Sequence, residues 1–199
     1  MKNKWDERYN QKEFVYGQEP NKFLKDNFHK IPKGKILFLA EGEGRNAVFL
    51  AKQKGYSVTA MDSSSVGMKK AEQFAKKQGV EIKTIVADLN NFNLGTEQWD
   101  GIVSIFCHLP PELRKNVHSK IVKGLKHNGV YLAEAYNPDQ LEYKTGGPPV
   151  KELLVSLNNI KTEFNGLNFI HAEEKIREVH EGKLHFGKGA VVQLIAVKP

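Results

Sequence analysis

Short apolar runs alternate with segments of helical periodicity through most of this chain, and no other feature constrains the fold as strongly. Five such runs predict buried strands: Ile36–Ala40, Tyr56–Met61, Val80–Ala87, Gly101–Phe106 and Val130–Ala135. Between these runs, apolar residues recur at the spacing of one face of an α-helix. Strands that alternate with helices in this way are typical of α/β folds built on a parallel sheet.

The pattern changes after residue 136. A loop rich in Gly and Pro at 137–149 precedes a predicted short helix at 150–157, and two long β-like segments follow at Asn168–His180 and Ala190–Lys198. A short loop that contains Gly182 joins these two segments, so they predict an antiparallel hairpin. We therefore expect a doubly wound, mostly parallel seven-stranded sheet of the Rossmann-like kind, with an antiparallel hairpin at its C-terminal end.

No linker or low-complexity tract divides the chain. We therefore expect one domain over residues 1–199, with an N-terminal cap or lid at 1–35 and a core at 36–199. The chain has no apolar run near 18 residues and no apolar stretch at its N-terminus, so we expect neither a membrane span nor a secretory signal. Its one cysteine, Cys107, excludes an intrachain disulfide and a multi-cysteine zinc site. We expect a cytoplasmic protein.

The formal charge of +7, from 30 Lys+Arg against 23 Asp+Glu, first suggests a nucleic-acid partner. However, the charge is dispersed among acidic residues and forms no block of five like charges. We expect this basicity to serve solubility and to attract small anions weakly. The predicted partner is a small molecule, with no nucleic acid and no membrane, and the predicted state is a monomer or homodimer.

A glycine loop lies between the first predicted strand and the helix that follows it. Residues 41–47 read EGEGRNA and satisfy the pattern G-x-G-x-x-A, and Asp62 lies 20 residues after Gly42 at the end of the second strand. Asp88 ends the third strand in the same way. Acidic residues at the carboxyl ends of adjacent parallel strands meet at one edge of the sheet, where such folds bind nucleosides.

The charges around Gly42 bear on which nucleoside binds. A dinucleotide would place its pyrophosphate at the helix N-terminus, but Glu41 and Glu43 flank that position. At ~4 Å and an effective dielectric near 20, each like-charge contact would cost roughly 4 kcal/mol. The loop therefore favours a ligand with a cationic end and no phosphate, such as S-adenosylmethionine. Asp62 would accept hydrogen bonds from its ribose hydroxyls, and Asp88 would accept one from its adenine amino group.

These residues resemble the class I S-adenosylmethionine-dependent methyltransferases over nearly the whole chain. Residues 39–47 (LAEGEGRNA) look like the first motif of the small bacterial tellurite-resistance branch, and residues 58–71 resemble its second. Residues 5–9 (WDERY), with 14–17 (FVYG), are similar to its N-terminal lid. The resemblance implies a methyltransferase fold and S-adenosylmethionine as cofactor. It also implies cofactor contacts that we assign to Tyr16, Glu41, Gly42, Gly44, Arg45, Asn46, Asp62, Ser63, Asp88, Leu89 and Phe106.

The residues that would bind and activate the methyl acceptor follow the fourth and fifth strands. His108 is our candidate base because an imidazole titrates near neutral pH. Tyr136, Arg177 and His180 are further catalytic candidates, and Tyr143 is a substrate candidate. Period-2 alternation places Arg177 and His180 on opposite faces unless a bulge intervenes. We predict no metal site.

The sequence around the fourth strand end excludes some acceptors. Residues 106–111 (FCHLPP) do not match the Asn/Asp-Pro-Pro-aromatic signature of nucleic-acid amine methyltransferases, and Cys107 is predicted to be a buried packing residue. The predicted activity is methyl transfer by in-line displacement to a small molecule, either a tellurite- or selenite-type oxyanion or a small thiol. A nicotinamide-dependent oxidoreductase and a basic nucleic-acid-binding methyltransferase remain alternatives.

Overall fold

A computed structural model describes residues 3–199 and contains one seven-stranded sheet with the strand order β3-β2-β1-β4-β5-β7-β6. The strands are β1 (Gly34–Leu39), β2 (Tyr56–Asp62), β3 (Lys83–Val86), β4 (Trp99–Ile105), β5 (Leu125–Tyr136), β6 (Asn168–His180) and β7 (Phe186–Val197). Strands β1 to β5 are parallel, whereas β7 pairs antiparallel with both β5 and β6. The predicted mostly parallel sheet with a terminal antiparallel hairpin is confirmed.

The helices are α1 (Lys4–Tyr9), α2 (Lys22–Asn27), α3 (Arg45–Ala51), α4 (Ser65–Lys77), α5 (Pro111–Gly124), α6 (Gln140–Tyr143) and α7 (Leu157–Glu163), with 3-10 turns at Phe28–Lys30 and Lys151–Leu153. Helices α2, α3 and α4 cover one face of the sheet, where Phe38 and Leu132 are buried. Helices α5 and α7 cover the opposite face, against Leu39 and Tyr131. Both faces are therefore covered, which explains why the strands are continuous apolar runs.

Four predicted elements differ clearly from the structure, and two of them are strands that begin earlier than predicted: β5 begins at Leu125, not Val130, and β7 begins at Phe186, not Ala190. Strand β3 begins at Lys83, not Val80, because the N–H of Val80 still bonds to the carbonyl of Ala75 at the end of α4. The predicted helix at 150–157 is wrong: that stretch contains only a 3-10 turn, and α7 begins at Leu157 after Ser156 caps it. Ser64 caps α4, since its hydroxyl accepts the N–H of Gly67.

A buried ionic group joins α5 to α7. Arg114 donates to both carboxylate oxygens of Glu163, at 2.8 and 3.0 Å, and His118 Nδ1 lies 2.8 Å from the same carboxylate. Burial alone would raise the pKa of Glu163, but His118 and Arg114 outweigh it and lower that pKa to about 2. This group fixes the layer that lies behind β4 and β5. No helix within residues 3–199 is both long and apolar enough to span a bilayer.

Candidate active site

The glycine loop follows β1 and turns the chain sharply into α3. Gly42 and Gly44 have φ of 65° and 88°, a left-handed conformation that favours glycine. A Cβ at Gly44 would lie 2.6 Å from the Cβ of Ala71, so α4 also requires a glycine there. The carboxylate of Glu41 accepts the N–H groups of Asn46 and Ala47 at 2.8 and 2.7 Å. Glu41 therefore caps the N-terminus of α3, and burial raises its pKa to about 7.

The second carboxylate of the loop has a different partner from the one that the sequence suggested. Glu43 forms an ion pair with Lys70 and accepts the N–H of Val15 at 2.8 Å. Its charge is thus compensated, and it anchors the N-terminal segment rather than repelling a ligand phosphate. The like-charge argument therefore fails for Glu43, whereas Glu41 already occupies the N-terminus of α3, where a pyrophosphate would bind.

Asp62, at the end of β2, is almost fully buried beneath this loop. One of its oxygens accepts the N–H of Gly42 at 2.9 Å, and the other accepts the N–H of Ser64 at 2.8 Å. Burial raises the pKa of Asp62. A carboxylate has about four acceptor positions, so two remain for hydroxyl donors of a ligand. Asp62 therefore joins the glycine loop to the start of α4 and keeps the capacity to bind a ribose.

The remaining cofactor candidates differ in their burial. Asp88 is exposed and accepts the N–H of Asn90 at 2.8 Å, whereas Leu89 is buried in the core. Ser63 is half-buried, and its carbonyl accepts the side-chain amide of Asn3 at 2.6 Å. Asn46 is buried and accepts the N–H of Asn21 at 2.9 Å.

The N-terminal segment, residues 3–16, lies across the glycine loop and is held on α4. Asp6 accepts the hydroxyl of Ser64 at 2.6 Å and the N–H of Val66 at 3.1 Å. Lys70 donates to the carbonyls of residues 9, 11 and 13. The side chain of Tyr9 occupies the space above Gly42, since a Cβ there would lie 2.6 Å from its hydroxyl oxygen.

Tyr9 is a candidate site residue that the sequence did not suggest. The signal was the spacing of Trp5 and Tyr9, one helical turn apart, and their rings stack with centroids 5.8 Å apart. Burial raises the pKa of Tyr9 far above its usual range, so it stays a neutral phenol beside Asp62.

A buried charge network, formed by Asn21, Arg45, Glu134, Arg177 and Glu181, lies beside the glycine loop. Arg177 forms ion pairs with Glu134 and, at 2.7 Å, with Glu181. Arg45 forms an ion pair with Glu181, and the amide of Asn21 donates to both carboxylates at 2.8 and 2.9 Å. Two arginines thus meet two glutamates, and the network carries no net charge.

An aromatic cluster, formed by Tyr16, Phe106, His108, Tyr136 and His185, lies at the ends of β4 and β5. Phe106 stacks on Tyr136 with ring centroids 4.6 Å apart, and His185 contacts both rings at 4.8 and 5.3 Å. His108 lies parallel to Tyr136 at 5.7 Å. Three buried polar atoms of the cluster, Nε2 of His108, Nδ1 of His185 and the hydroxyl of Tyr136, have no hydrogen-bond partner among residues 3–199.

Both histidines of this cluster are neutral at physiological pH. Burial lowers the pKa of His108 to about 4, and burial together with nearby Arg45 lowers that of His185 to about 3. His108 Nδ1 lies 3.1 Å from the carbonyl of Leu153, so that nitrogen carries the hydrogen and Nε2 carries the lone pair. His185 was not among the predicted site residues, because its position depends on the hairpin loop folding back over β5.

The other predicted residues lie at various distances from this cluster. Arg177 and His180 are on opposite faces of β6 as expected; His180 is exposed against Phe186, with ring centroids 4.9 Å apart, and is outside the cluster. Tyr143 is half-buried at the end of α6. Burial raises the pKa of the Cys107 thiol to about 12, so it does not act as a thiolate.

The two halves of the site meet where the order of strand addition reverses in the sheet. The chain builds β1, β2 and β3 outwards and then returns to add β4 on the other side of β1, so the crevice lies between the ends of β1 and β4. Ala40 and Phe106 follow these two strands, and both have left-handed φ, 50° and 52°. The glycine loop with Asp62 lies on one side of this crevice and the aromatic cluster on the other.

Comparisons with known proteins show similarity to methyltransferases. A family model described as a methyltransferase domain matches residues 36–129. A TehB protein of Haemophilus influenzae, named as a probable S-adenosyl-L-methionine-dependent methyltransferase, is 28% identical over 152 residues, which cover 74% of this chain and 50% of that protein. The chain therefore spans about half the length of the curated relatives it matches.

Two solved structures share the fold. The crystal structure of TehB from Haemophilus influenzae has a TM-score of 0.74 at 22% identity, covering 98% of this chain and 66% of that one. A structure from work on the conversion of a disulfide bond into a thioacetal group during echinomycin biosynthesis has a TM-score of 0.78 at 16% identity, covering 97% and 87%. At these identities the likeness concerns the fold alone.

Proposed function

We propose that this chain is a class I S-adenosylmethionine-dependent methyltransferase and that it methylates a small molecule held against the aromatic cluster. When bound, S-adenosylmethionine supplies an electrophilic methyl group on a sulfonium. The observation that carries the proposal is the position of His108: its free Nε2 lies in an enclosed cluster across the crevice from Asp62. Positioning of the nucleophile then accounts for much of the rate.

The residues on the cofactor side fit this ligand. Asp62 has two acceptor positions left for ribose hydroxyls. Gly42 has no Cβ that would project into the space above its backbone. Asp88 is exposed at the end of the third strand and can accept from the adenine amino group. The side chain of Tyr9 lies over Gly42, so its ring must move when the cofactor binds there. We assign Gly44, Arg45, Asn46, Ser63, Leu89, Phe106 and Tyr16 to the walls of this side.

His108 is the proposed proton acceptor for a nucleophile that must lose a proton. Its Nδ1–H donates to Leu153, which fixes the ring so that the lone pair of Nε2 is available. The side chain is neutral above about pH 4, because burial lowers its pKa. Tyr136 and His185 are the titratable side chains that face it, and neither gains or loses a proton between pH 5 and 9. The acid limb of kcat/KM is therefore expected only as the pH falls towards 4.

The acceptor itself is proposed at the level of a small molecule, with tellurite- or selenite-type oxyanions and small thiols as the classes to test. An assay with tritiated S-adenosylmethionine and purified protein measures transfer to each class, and to RNA and DNA. We expect labelled small molecules and unlabelled nucleic acid. Label in RNA or DNA, or no label in any small molecule, would contradict the proposal.

A matched pair of variants tests the role of His108. His108→Gln removes the basic nitrogen, so kcat is expected to fall by about 10²–10⁴-fold while binding of S-adenosylhomocysteine is retained. His127→Gln changes an exposed histidine on β5 and is expected to leave both unchanged. Equal rates in His108→Gln and the wild type would remove His108 from the mechanism.

A further inference from the structure

We propose that the methyl acceptor is a small neutral thiol rather than an oxyanion, an inference that rests on the proposed methyl-transfer function. The reason is that, within residues 3–199, every buried cation on the acceptor side of the crevice is paired with a carboxylate. An anion that enters an enclosed site loses its hydration and needs a cation or several aligned donors in return. A neutral thiol loses little hydration there and gains favourable contacts with aromatic rings.

The two buried arginines beside the aromatic cluster are paired with carboxylates. Arg177 is held by Glu134 and Glu181, and a further N–H of its guanidinium donates to the carbonyl of Glu178 at 2.9 Å. Arg45 is paired with Glu181 and donates to the carbonyl of Glu19 at 3.2 Å. The two arginines and the two glutamates, Glu134 and Glu181, carry two positive and two negative charges, so neither arginine is free to bind an anion.

The aromatic cluster itself contains no charged side chain, and the one cation that contacts it from outside the balanced network within residues 3–199 is the exposed Arg8, which donates to the hydroxyl of Tyr16 at 3.1 Å. Tyr16 faces it from the N-terminal segment, Phe106 and His108 from the end of β4, Tyr136 from β5 and His185 from the hairpin loop. The charged groups behind it are those of the balanced network. Neutral imidazoles accept or donate single hydrogen bonds but supply no positive charge.

The cluster also supplies what a protonated sulfur requires. In the methyl-transfer step, the acceptor sulfur forms a bond to the methyl carbon while the bond from that carbon to the sulfonium sulfur breaks. The thiol proton passes to Nε2 of His108, and the products are the methyl thioether and S-adenosylhomocysteine. The hydroxyl of Tyr136 lies in the same cluster and can donate to the sulfur as its negative charge develops.

The loop that closes the cluster sets the size of the acceptor. A Cβ at Gly146 would lie 2.8 Å from both the hydroxyl of Tyr136 and the Cδ2 of His185, so this loop approaches the cluster as closely as glycine allows. The N–H of Phe186 bonds to the carbonyl of Thr145 at 3.1 Å and fixes the loop to the hairpin. The thiol is therefore expected to be small.

Two acceptors of similar size that differ in charge test this inference. We would compare initial rates of wild-type methyl transfer to 2-mercaptoethanol and to mercaptoacetate, with selenite and tellurite in parallel. We expect kcat/KM for 2-mercaptoethanol to exceed that for the three anions by about tenfold or more. A higher value for any of the anions would overturn the inference and leave the proposed methyl transfer intact, whereas no transfer to any acceptor would overturn both.

A pair of variants tests the charge balance directly. Glu181→Gln removes one carboxylate from the network and leaves a net positive charge behind the cluster. The ratio of kcat/KM for mercaptoacetate over 2-mercaptoethanol is expected to rise by about tenfold. Glu178→Gln changes an exposed carboxylate on the other face of β6 and is expected to leave the ratio unchanged. An unchanged ratio in a folded Glu181→Gln protein contradicts the charge argument, and the wild-type comparison decides the inference if that variant does not fold.

Discussion

Asp62→Asn separates the two roles that the structure gives to this carboxylate. The substitution keeps the size of the side chain but replaces one oxygen with an NH₂ group. In the wild type, the carboxylate accepts two backbone N–H groups, from Gly42 at 2.9 Å and from Ser64 at 2.8 Å. The amide can accept from only one of them and turns a donor towards the other.

The expected loss of stability follows from these two contacts. A hydrogen bond to a charged group contributes about 1.5–3 kcal/mol, and a buried N–H left without an acceptor costs a similar amount. At about 2–4 °C of Tm for each kcal/mol in a protein of this size, the unliganded variant is expected to melt roughly 3–12 °C below the wild type. Asp26→Asn, at an exposed i,i+4 pair on α2, is expected to melt with the wild type.

The expected loss of cofactor affinity is worked out separately. Losing charged hydrogen bonds to the ribose costs about 1–3 kcal/mol, which weakens binding about 5- to 140-fold. S-adenosylhomocysteine at 100 times the wild-type Kd stabilises the wild type by about 2.7 kcal/mol. With binding weakened about 30-fold, the same concentration stabilises the variant by only about 0.9 kcal/mol.

Thermal unfolding with and without S-adenosylhomocysteine measures both quantities in one experiment. A variant that melts lower but keeps the full ligand-induced shift would limit Asp62 to a structural role and refute the ribose assignment. A variant whose Tm without ligand equals that of the wild type would refute the energetic argument made from the two backbone hydrogen bonds.

Three further predictions follow from contacts outside this carboxylate. Lys70→Met removes the donor that holds the N-terminal segment, so amide hydrogen exchange in residues 3–16 should rise at least about tenfold, while Lys69→Met, on an exposed position, should not change it. The pKa of Glu163 is lowered from 4.5 to about 2, so its contribution to stability is present above pH 4.5 and is lost as the pH falls towards 2. Urea unfolding across that range should show this loss of stability in the wild type. The stability of Glu163→Gln should depend less on pH. Gly146→Ala should lower the Tm and the methyl-transfer rate together, whereas Gly79→Ala, where no atom lies within 4 Å of the new Cβ, should cost only the backbone strain of about 1 kcal/mol.

The sequence alone was sufficient for the sheet, the glycine loop and the acidic strand ends. Each of these rests on a local pattern: alternation of apolar runs, two glycines at a strand-to-helix turn, and Asp62 directly after a buried strand. Local patterns survive folding because they are set by the backbone of a few neighbouring residues. The helix predicted at 150–157 failed where the apolar spacing was present but a capping serine, Ser156, started the helix later.

Only the tertiary structure decided what the charged and titratable residues do. Glu43 looked like a ligand-facing charge in the sequence, yet Lys70 of α4 compensates it. Arg177 was a catalytic candidate in the sequence, yet Glu134 of β5, 43 residues away, pairs with it. A sequence specifies that a side chain can be charged, but its net effect depends on which partner the fold brings within a few ångströms and on how much water remains, and both are settled by long-range packing.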